Sequence, residues 1–216
     1  MIPASDEDPE TLRLRDDAEL VVRPIGPGDK EAIRAAFHRM SPESRYRRFF
    51  SPLTELSDRD LAYLTDIDHH EHEALAAFDA DGGIVGVARF VRTEGTHSEA
   101  SIVVIDEWQH RGVGTRLLDR IAERAREEGV THFVALVLVD NRDALELFGS
   151  LAPDATRERT RDGHLELLIE LPEPGGLEGS LLARALREAA RGVITMNPWR
   201  VLVDTIRRTW HNRPGR

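Results

Sequence analysis

The stretch that decides the fold is IVVIDEWQHRGVGTRLL, residues 102–118. It opens as an apolar run typical of a buried strand, breaks at 109–114, and resumes with helical spacing. At such a strand-to-helix turn the first amide protons of the helix have no acceptor within the helix, and the helix dipole is positive. Gly112 and Gly114 carry no Cβ, so the backbone can approach a ligand closely and adopt torsion angles that other residues resist. The pattern therefore predicts an anion-binding turn suited to phosphate.

Two familiar phosphate-binding loops do not match this turn. A P-loop needs Gly-Lys-Ser/Thr, and the dinucleotide fingerprint needs a third glycine where this chain has Leu117. On the turn alone, a glycine-bearing turn that binds nothing stays an open alternative.

Composition limits the function further. The chain has 216 residues, a formal net charge of -10 and no cysteine. The acidity argues against a nucleic-acid-binding surface, and the lack of cysteine excludes disulfides, thiol nucleophiles and Cys-based zinc sites. The N-terminus is acidic where a signal peptide would be basic, and the longest strongly apolar run, residues 133–139, is too short to cross a bilayer. We therefore expect a cytoplasmic protein without a transmembrane segment.

Hydrophobic periodicity predicts a mixed α/β chain. The expected order is a strand, three helices, a three-stranded antiparallel meander, the helix after Gly112, a strand, a short helix and a hairpin. We assign residues 1–18 to a flexible N-terminal arm and residues 19–172 to one domain. Residues 173–216 are assigned to a C-terminal extension of amphipathic helices that follows a Pro/Gly linker.

Residues 103–118 resemble motif A of the GNAT superfamily of acyl-CoA-dependent N-acetyltransferases. The motif, Gln/Arg-x-x-Gly-x-Gly/Ala, falls on Gln109, Gly112 and Gly114. The segments MSPESRYRRFF, LTDIDHHEHEALAAF and GVARFV are similar to the GNAT domain of the bacterial protein lysine acetyltransferases called Pat. The resemblance implies a GNAT fold of the α/β (α+β) class, with a mixed, mostly antiparallel central sheet flanked by helices.

The resemblance also implies a site for acetyl-CoA. Its diphosphate would lie on the turn, and its pantetheine arm would run beside residues 102–105, where the strands before and after the motif-A helix splay apart. The implied cofactor-binding residues are Val104, Gln109, His110, Arg111, Gly112, Val113, Gly114, Thr115 and Asn141.

Acyl transfer to an amine needs a base, because an ammonium group with a pKa of about 10 has no free lone pair at neutral pH. Glu99 is the candidate catalytic residue, since it matches the position that looks catalytic in the Pat-like proteins. An exposed strand glutamate is the alternative. The amide of Val104 is the candidate donor to the developing oxyanion, provided that it is not already paired within the sheet.

One residue departs from the family pattern. Many GNAT enzymes place a tyrosine after Asn-x-x-Ala to protonate the departing thiolate, and this chain has Phe148 there, so water or Ser150 would have to serve. We expect direct acetyl transfer from acetyl-CoA to an amine, with a protein lysine as the first candidate acceptor. The alternatives are a small-molecule amine N-acetyltransferase and a noncatalytic acyl-CoA-binding sensor or interaction module.

Three further segments have a structural interpretation. DIDHHEHE, residues 66–73, lacks zinc-site spacing, so we interpret it as a solvated strand entrance and expect no metal site. SRYRRFF, residues 44–50, predicts an amphipathic helix near the acceptor groove more readily than an RNA contact. The segment after residue 176 has eight arginines against three acidic residues, and its helices would cap the domain or form a homodimer contact. A membrane-surface or partner-binding role is the alternative.

Overall fold

The computed structural model describes residues 9–14, 16–49, 53–138, 157–159 and 164–171. The strands are β1 (Glu10–Arg13), β2 (Glu19–Pro24), β3 (His72–Phe78), β4 (Ile84–Glu94), β5 (His97–Val104), β6 (His132–Leu138), β7 (Arg157–Arg159) and β8 (His164–Glu170). The helices are α1 (Lys30–Arg39), α2 (Pro42–Phe49), α3 (Asp58–Thr65) and α4 (Val113–Glu127).

In the described part of the chain, all eight strands form one sheet in the order β1-β2-β3-β4-β5-β6-β8-β7. Every neighbouring pair is antiparallel except β5 and β6, which are parallel. The predicted mixed, mostly antiparallel sheet and the meander of β3, β4 and β5 are therefore confirmed.

The expectation of a flexible arm is wrong for residues 10–13, which form the edge strand β1. Leu12 lies opposite Leu20 of β2, and the amide of Leu14 donates to the carbonyl of Ala18 at 2.8 Å. The turn between the two strands contains Asp17 at a φ of 63°. Aspartate tolerates that conformation better than most residues, so Asp17 allows β1 and β2 to form a hairpin.

The two faces of the sheet carry different helices. A Cβ placed on Gly86 of β4 would lie 2.9 Å from Leu117 Cδ1 and 3.2 Å from Val113 Cγ1, so this glycine lets α4 pack closely. Arg89, three residues further along β4, donates to the carbonyl of Leu64 in α3 at 2.7 Å. Because side chains alternate along a strand, α4 and α3 cover opposite faces.

The helices form where the local signals place them. Ser57 caps α3 through a reciprocal capping box with Asp60, as its Ser-x-x-Asp signal predicts. Helix α4 buries the predicted apolar face, which comprises Leu117, Leu118, Ile121, Ala122 and Ala125. The helix predicted over SRYRRFF is confirmed as α2.

The parallel pairing between β5 and β6 is short. It joins His97 to His132, Ser98 to Phe133 and Glu99 to Val134, and then stops. Strand β5 continues to Val104, while β6 continues to Leu138 and stays paired with β8 along its whole length. The two strands therefore diverge after Glu99 and leave a gap, as expected from the family resemblance.

Several predictions concern residues outside the described part of the chain. They are the helix beginning at Asn141, the roles of Phe148 and Ser150, and the helical extension at 173–216 with its homodimer contact. Among the described helices, none is long and apolar enough to cross a membrane.

Candidate active site

The turn between β5 and α4 contains two residues with positive φ, His110 at 61° and Gly112 at 92°. Gly112 is the N-cap of α4. A Cβ added to it would meet no atom of the described residues within 4 Å, so they leave the space around this position open. A glycine is favoured here because of its backbone conformation, and the open space leaves room for a ligand.

The first turn of α4 has the features of an anion site. An α-helix provides no acceptor for the amides of its first turn, here Val113, Gly114 and Thr115. The first turn contains no acidic residue that would offset the positive end of the helix dipole. Val113 and Gly114 are buried, which holds this backbone in a fixed position against the sheet.

Gln109 connects the turn to the end of β5. Its Nε2 donates to the carbonyl of Val104 at 3.1 Å, and its own amide donates to the carbonyl of Asp106 at 3.3 Å. The side chain therefore holds the shape of the turn. A bound diphosphate would depend on the amides that follow Gln109.

Two charged residues fix the outer side of the turn. Arg111 lies over the ring of Trp108, with Cζ 3.9 Å from the ring centroid, and its Nε donates to Asp16 Oδ2 at 2.7 Å. Asp106 accepts from the amide of Ser41 at 2.8 Å and from the hydroxyl of Ser44 at 2.8 Å. Burial raises the pKa of Asp106, but hydrogen bonds from Ser41 and Ser44 outweigh it and hold the pKa below its usual value. These contacts join the turn to the N-terminal hairpin and to α2.

The amide of Val104 faces the gap between β5 and β6. The amide of Ile105 donates to the carbonyl of Val85 on the β4 side at 3.0 Å. Bonding directions alternate along an antiparallel strand, so the amides of Val104 and Ile102 point away from β4. Among the described strands, none pairs with β5 on this side beyond Glu99, and the role of the Val104 amide as an oxyanion donor stays a prediction.

Glu99 lies at the point where the gap closes. It is the last residue of β5 in register with β6, and its partners on the two sides are Val91 and Val134. Its side chain is 5% exposed, so the alternative of an exposed strand glutamate is wrong. The strand pairing brings Glu99 and the gap-facing amide of Val104 onto one strand, five residues apart.

An apolar pocket that is open to solvent on one side lies between α1, α3 and strands β4 and β5. Its walls include Phe37, Met40, Leu64, Val87 and Val103. Among the described residues that line it, Arg89 is the one that carries a charge. We call this cavity the Arg89 pocket.

Arg89 and Glu99 share a face of the sheet. Arg89 lies opposite Ser101 in the register of β4 and β5, and Glu99 lies two residues before Ser101 on β5. Residues two apart on a strand point to the same side. Glu99 therefore lies diagonally across from Arg89 on this face, although it is not among the described residues that line the pocket.

We expected the segment 66–73 to be a solvated strand entrance. This is wrong for His69 and Glu73, which are buried. His69 is 6% exposed, and its Nδ1 lies 2.9 Å from Oε1 of the fully buried Glu73. His72 contacts Arg89 through Nε2. Within the described residues, no group of three or more His, Cys, Asp or Glu side chains could hold a metal ion.

Comparison with known proteins agrees with this geometry. The model of the Acetyltransferase (GNAT) family matches residues 34–152. Acetyltransferase Pat of Mycolicibacterium smegmatis is 30% identical over 189 residues, which are 86% of this chain and 56% of that protein. The chain thus spans little more than half the length of this relative.

Two solved structures show the same fold. The GNAT domain of S. lividans PAT is 32% identical with a TM-score of 0.65, and the match covers 76% of this chain and 97% of that domain. The yncA protein of Salmonella typhimurium, solved with its cofactor acetyl-CoA, is 21% identical with a TM-score of 0.51 over 71% of this chain and 95% of that one. The chain belongs to the acetyltransferase (GNAT) family.

Proposed function

We propose that this protein transfers an acetyl group directly from acetyl-CoA to an amine. The observation that carries the proposal is the gap between β5 and β6, which has Glu99 at its closed end and the N-terminus of α4 beside its open end. A thioester in this gap would lie between a carboxylate and a set of backbone donors. Those are the groups that amine acylation requires.

The turn residues from His110 to Thr115 would bind the diphosphate of acetyl-CoA. The positive end of α4 favours an anion, and Gly112 leaves open space in front of the first-turn amides. The backbone of Ile102 would hydrogen-bond to the pantetheine arm, because its polar groups face the gap. The carbonyl of Val104 already accepts from Gln109, and its amide is reserved for the oxyanion. Asn141 is proposed as a further contact from the resemblance alone.

The chemistry follows from these positions. Glu99 would take the proton from the ammonium group, so that the nitrogen lone pair can attack the thioester carbonyl carbon. The amide of Val104 would stabilise the negative charge that develops on the carbonyl oxygen. The new C–N bond forms as the C–S bond breaks. The nitrogen then loses its second proton, and the departing CoA thiolate gains one, with water or Ser150 as the relay between them. No covalent bond to the protein is formed.

A protein lysine is the acceptor that we propose first. The support is the similarity to Acetyltransferase Pat and to the GNAT domain of S. lividans PAT. The net charge of -10 also favours a cationic acceptor. A small-molecule amine would use the same base and the same gap, so the acceptor must be tested directly.

The test is release of CoA thiol from acetyl-CoA with a panel of amines: a lysine-rich protein, a polyamine, an aminoglycoside and free amino acids. We expect release with the lysine-rich protein, and mass spectrometry should then find acetyl-lysine in it. Release only with a small amine would contradict the lysine proposal. Acetyl-CoA binding without release on any amine would contradict the enzymatic proposal, and would favour the sensor alternative that Phe148 suggests.

A further inference from the structure

Arg89 is a buried cation that has no carboxylate among its described hydrogen-bond partners. It is 2% exposed. One terminal nitrogen donates to the carbonyl of Leu64 at 2.7 Å, and the other contacts Nε2 of His72. Its Nε is buried and has no hydrogen-bond partner among the described residues. Burying a charged guanidinium without a carboxylate partner and with one N–H unpaired costs folding free energy. Binding of an anion would offset that cost.

No described carboxylate is hydrogen-bonded to Arg89. Glu73 acts on it electrostatically only. The Oε1 of Glu73 accepts from the amide of Ala74 and lies against His69, and its Oε2 lies 3.6 Å from Arg124. Burial lowers the pKa of Arg89 to about 10, which still leaves it charged at neutral pH, although Tyr63 and Glu73 act in the opposite direction. Burial, together with the charges of Arg89 and His69, lowers the pKa of His72 well below its usual value, so His72 is neutral.

We propose that the Arg89 pocket binds a small monocarboxylate with an apolar body, and that its carboxylate pairs with Arg89. The apolar walls, which include Phe37, Met40, Val87 and Val103, would cover the hydrocarbon part of the ligand. A guanidinium in an apolar wall is the preferred partner of a planar carboxylate, because two of its N–H groups can bind the two oxygens side by side. The single charge of the ligand would match Arg89, which is the one charged residue in the described part of the lining.

The position of the pocket gives this binding a consequence. Arg89 and Glu99 lie diagonally across β4 and β5 on the same face, so a carboxylate paired with Arg89 would lie where we expect an amine to approach the base. Such a ligand is expected to compete with the amine acceptor and to leave acetyl-CoA binding unchanged. This consequence rests on the proposed function, whereas the binding itself does not.

Calorimetric titration of the full chain tests the binding. The probes are 4-methylpentanoate, its neutral amide 4-methylpentanamide, and acetate, which has the charge without the apolar body. We expect 4-methylpentanoate to bind at least about tenfold more tightly than either control, because only it satisfies both the charge and the apolar walls. Equal binding of the amide, or no binding of 4-methylpentanoate, would overturn the proposal.

Three variants locate the site. Arg89→Met removes the charge and keeps an apolar stem, and Ala36→Leu fills part of the apolar wall while leaving Arg89 in place. Both are expected to weaken 4-methylpentanoate binding by about tenfold or more. Arg92→Met is the matched control, because Arg92 lies on the same strand but pairs with Glu71 outside the pocket. This variant should bind 4-methylpentanoate as tightly as the wild type does. If Arg89→Met does not fold, Ala36→Leu alone decides, and unchanged binding in it rejects the site.

Kinetics distinguish failure of this inference from failure of the proposed function. The titrations need neither acetyl-CoA nor turnover, so a noncatalytic protein would still show the predicted binding. If the protein turns over an amine, 4-methylpentanoate should raise the KM for that amine and leave kcat unchanged. Binding that has no effect on this KM would place the ligand away from Glu99, and would contradict the position that we propose for it.

Discussion

Replacing Glu99 with glutamine is expected to lower kcat for amine acetylation by about 10² to 10⁴ and to leave acetyl-CoA affinity unchanged. Glutamine keeps nearly the same size and shape, but it cannot accept the ammonium proton. Glu99 lies at the closed end of the gap, and the turn before α4 lies at the open end. The substitution should therefore not disturb the diphosphate site. Steady-state thiol release and a calorimetric titration with acetyl-CoA measure the two effects separately.

The pH dependence of the variant adds a second readout. Without an internal base, only the neutral amine reacts, so the rate of Glu99→Gln should keep rising as the pH approaches the pKa of the free amine. Glu94→Gln is the matched control, since Glu94 is an exposed residue at the end of β4. A Glu99→Gln rate equal to wild type at neutral pH would exclude Glu99 as the base.

The Gly112→Val substitution is expected to weaken acetyl-CoA binding by at least about tenfold. Gly112 has a φ of 92°, and a β-branched residue held there costs about 1–3 kcal/mol. The turn would relieve this strain by changing shape, which would misdirect the amides of α4. In the native turn the valine side chain would also occupy the open space proposed for the diphosphate.

Gly82→Val separates the strain from the binding effect. Gly82 has a φ of 78° and equally open surroundings, but it lies in the turn between β3 and β4. Both variants should unfold at lower urea concentration than wild type. Only Gly112→Val should lose affinity for acetyl-CoA in a calorimetric titration. Unchanged affinity in Gly112→Val would reject the turn as the binding site.

Much of the site could be predicted because its signals are local. The break at 109–114 follows an apolar strand and precedes a helix with one apolar face, and this short pattern determines both elements and the turn. The splay between β5 and β6 is not a local signal. It was expected only from the resemblance to a known family, and the register of the two strands confirms it.

The features that sequence reasoning missed depend on distant contacts. The edge strand β1 has four residues of mixed polarity, and the alternation of Leu12 and Leu14 is too short a pattern to identify it. Arg89 alternates with apolar residues as an exposed strand arginine would. It is buried because α3, some 25 positions earlier in the chain, supplies the carbonyl of Leu64. His69 is buried for the same kind of reason, through its contact with Glu73.

The central claim is that backbone amides at the start of α4 bind the diphosphate of acetyl-CoA. The most direct test is the amide spectrum of ¹⁵N-labelled protein titrated with acetyl-CoA. We predict saturable shifts of the Gly112, Val113, Gly114 and Val104 amide resonances, whereas S-acetylpantetheine, which has no diphosphate, should shift Val104 and leave the amides of α4 in place. If saturating acetyl-CoA leaves the resonances of Gly112 to Gly114 unmoved, the account is contradicted.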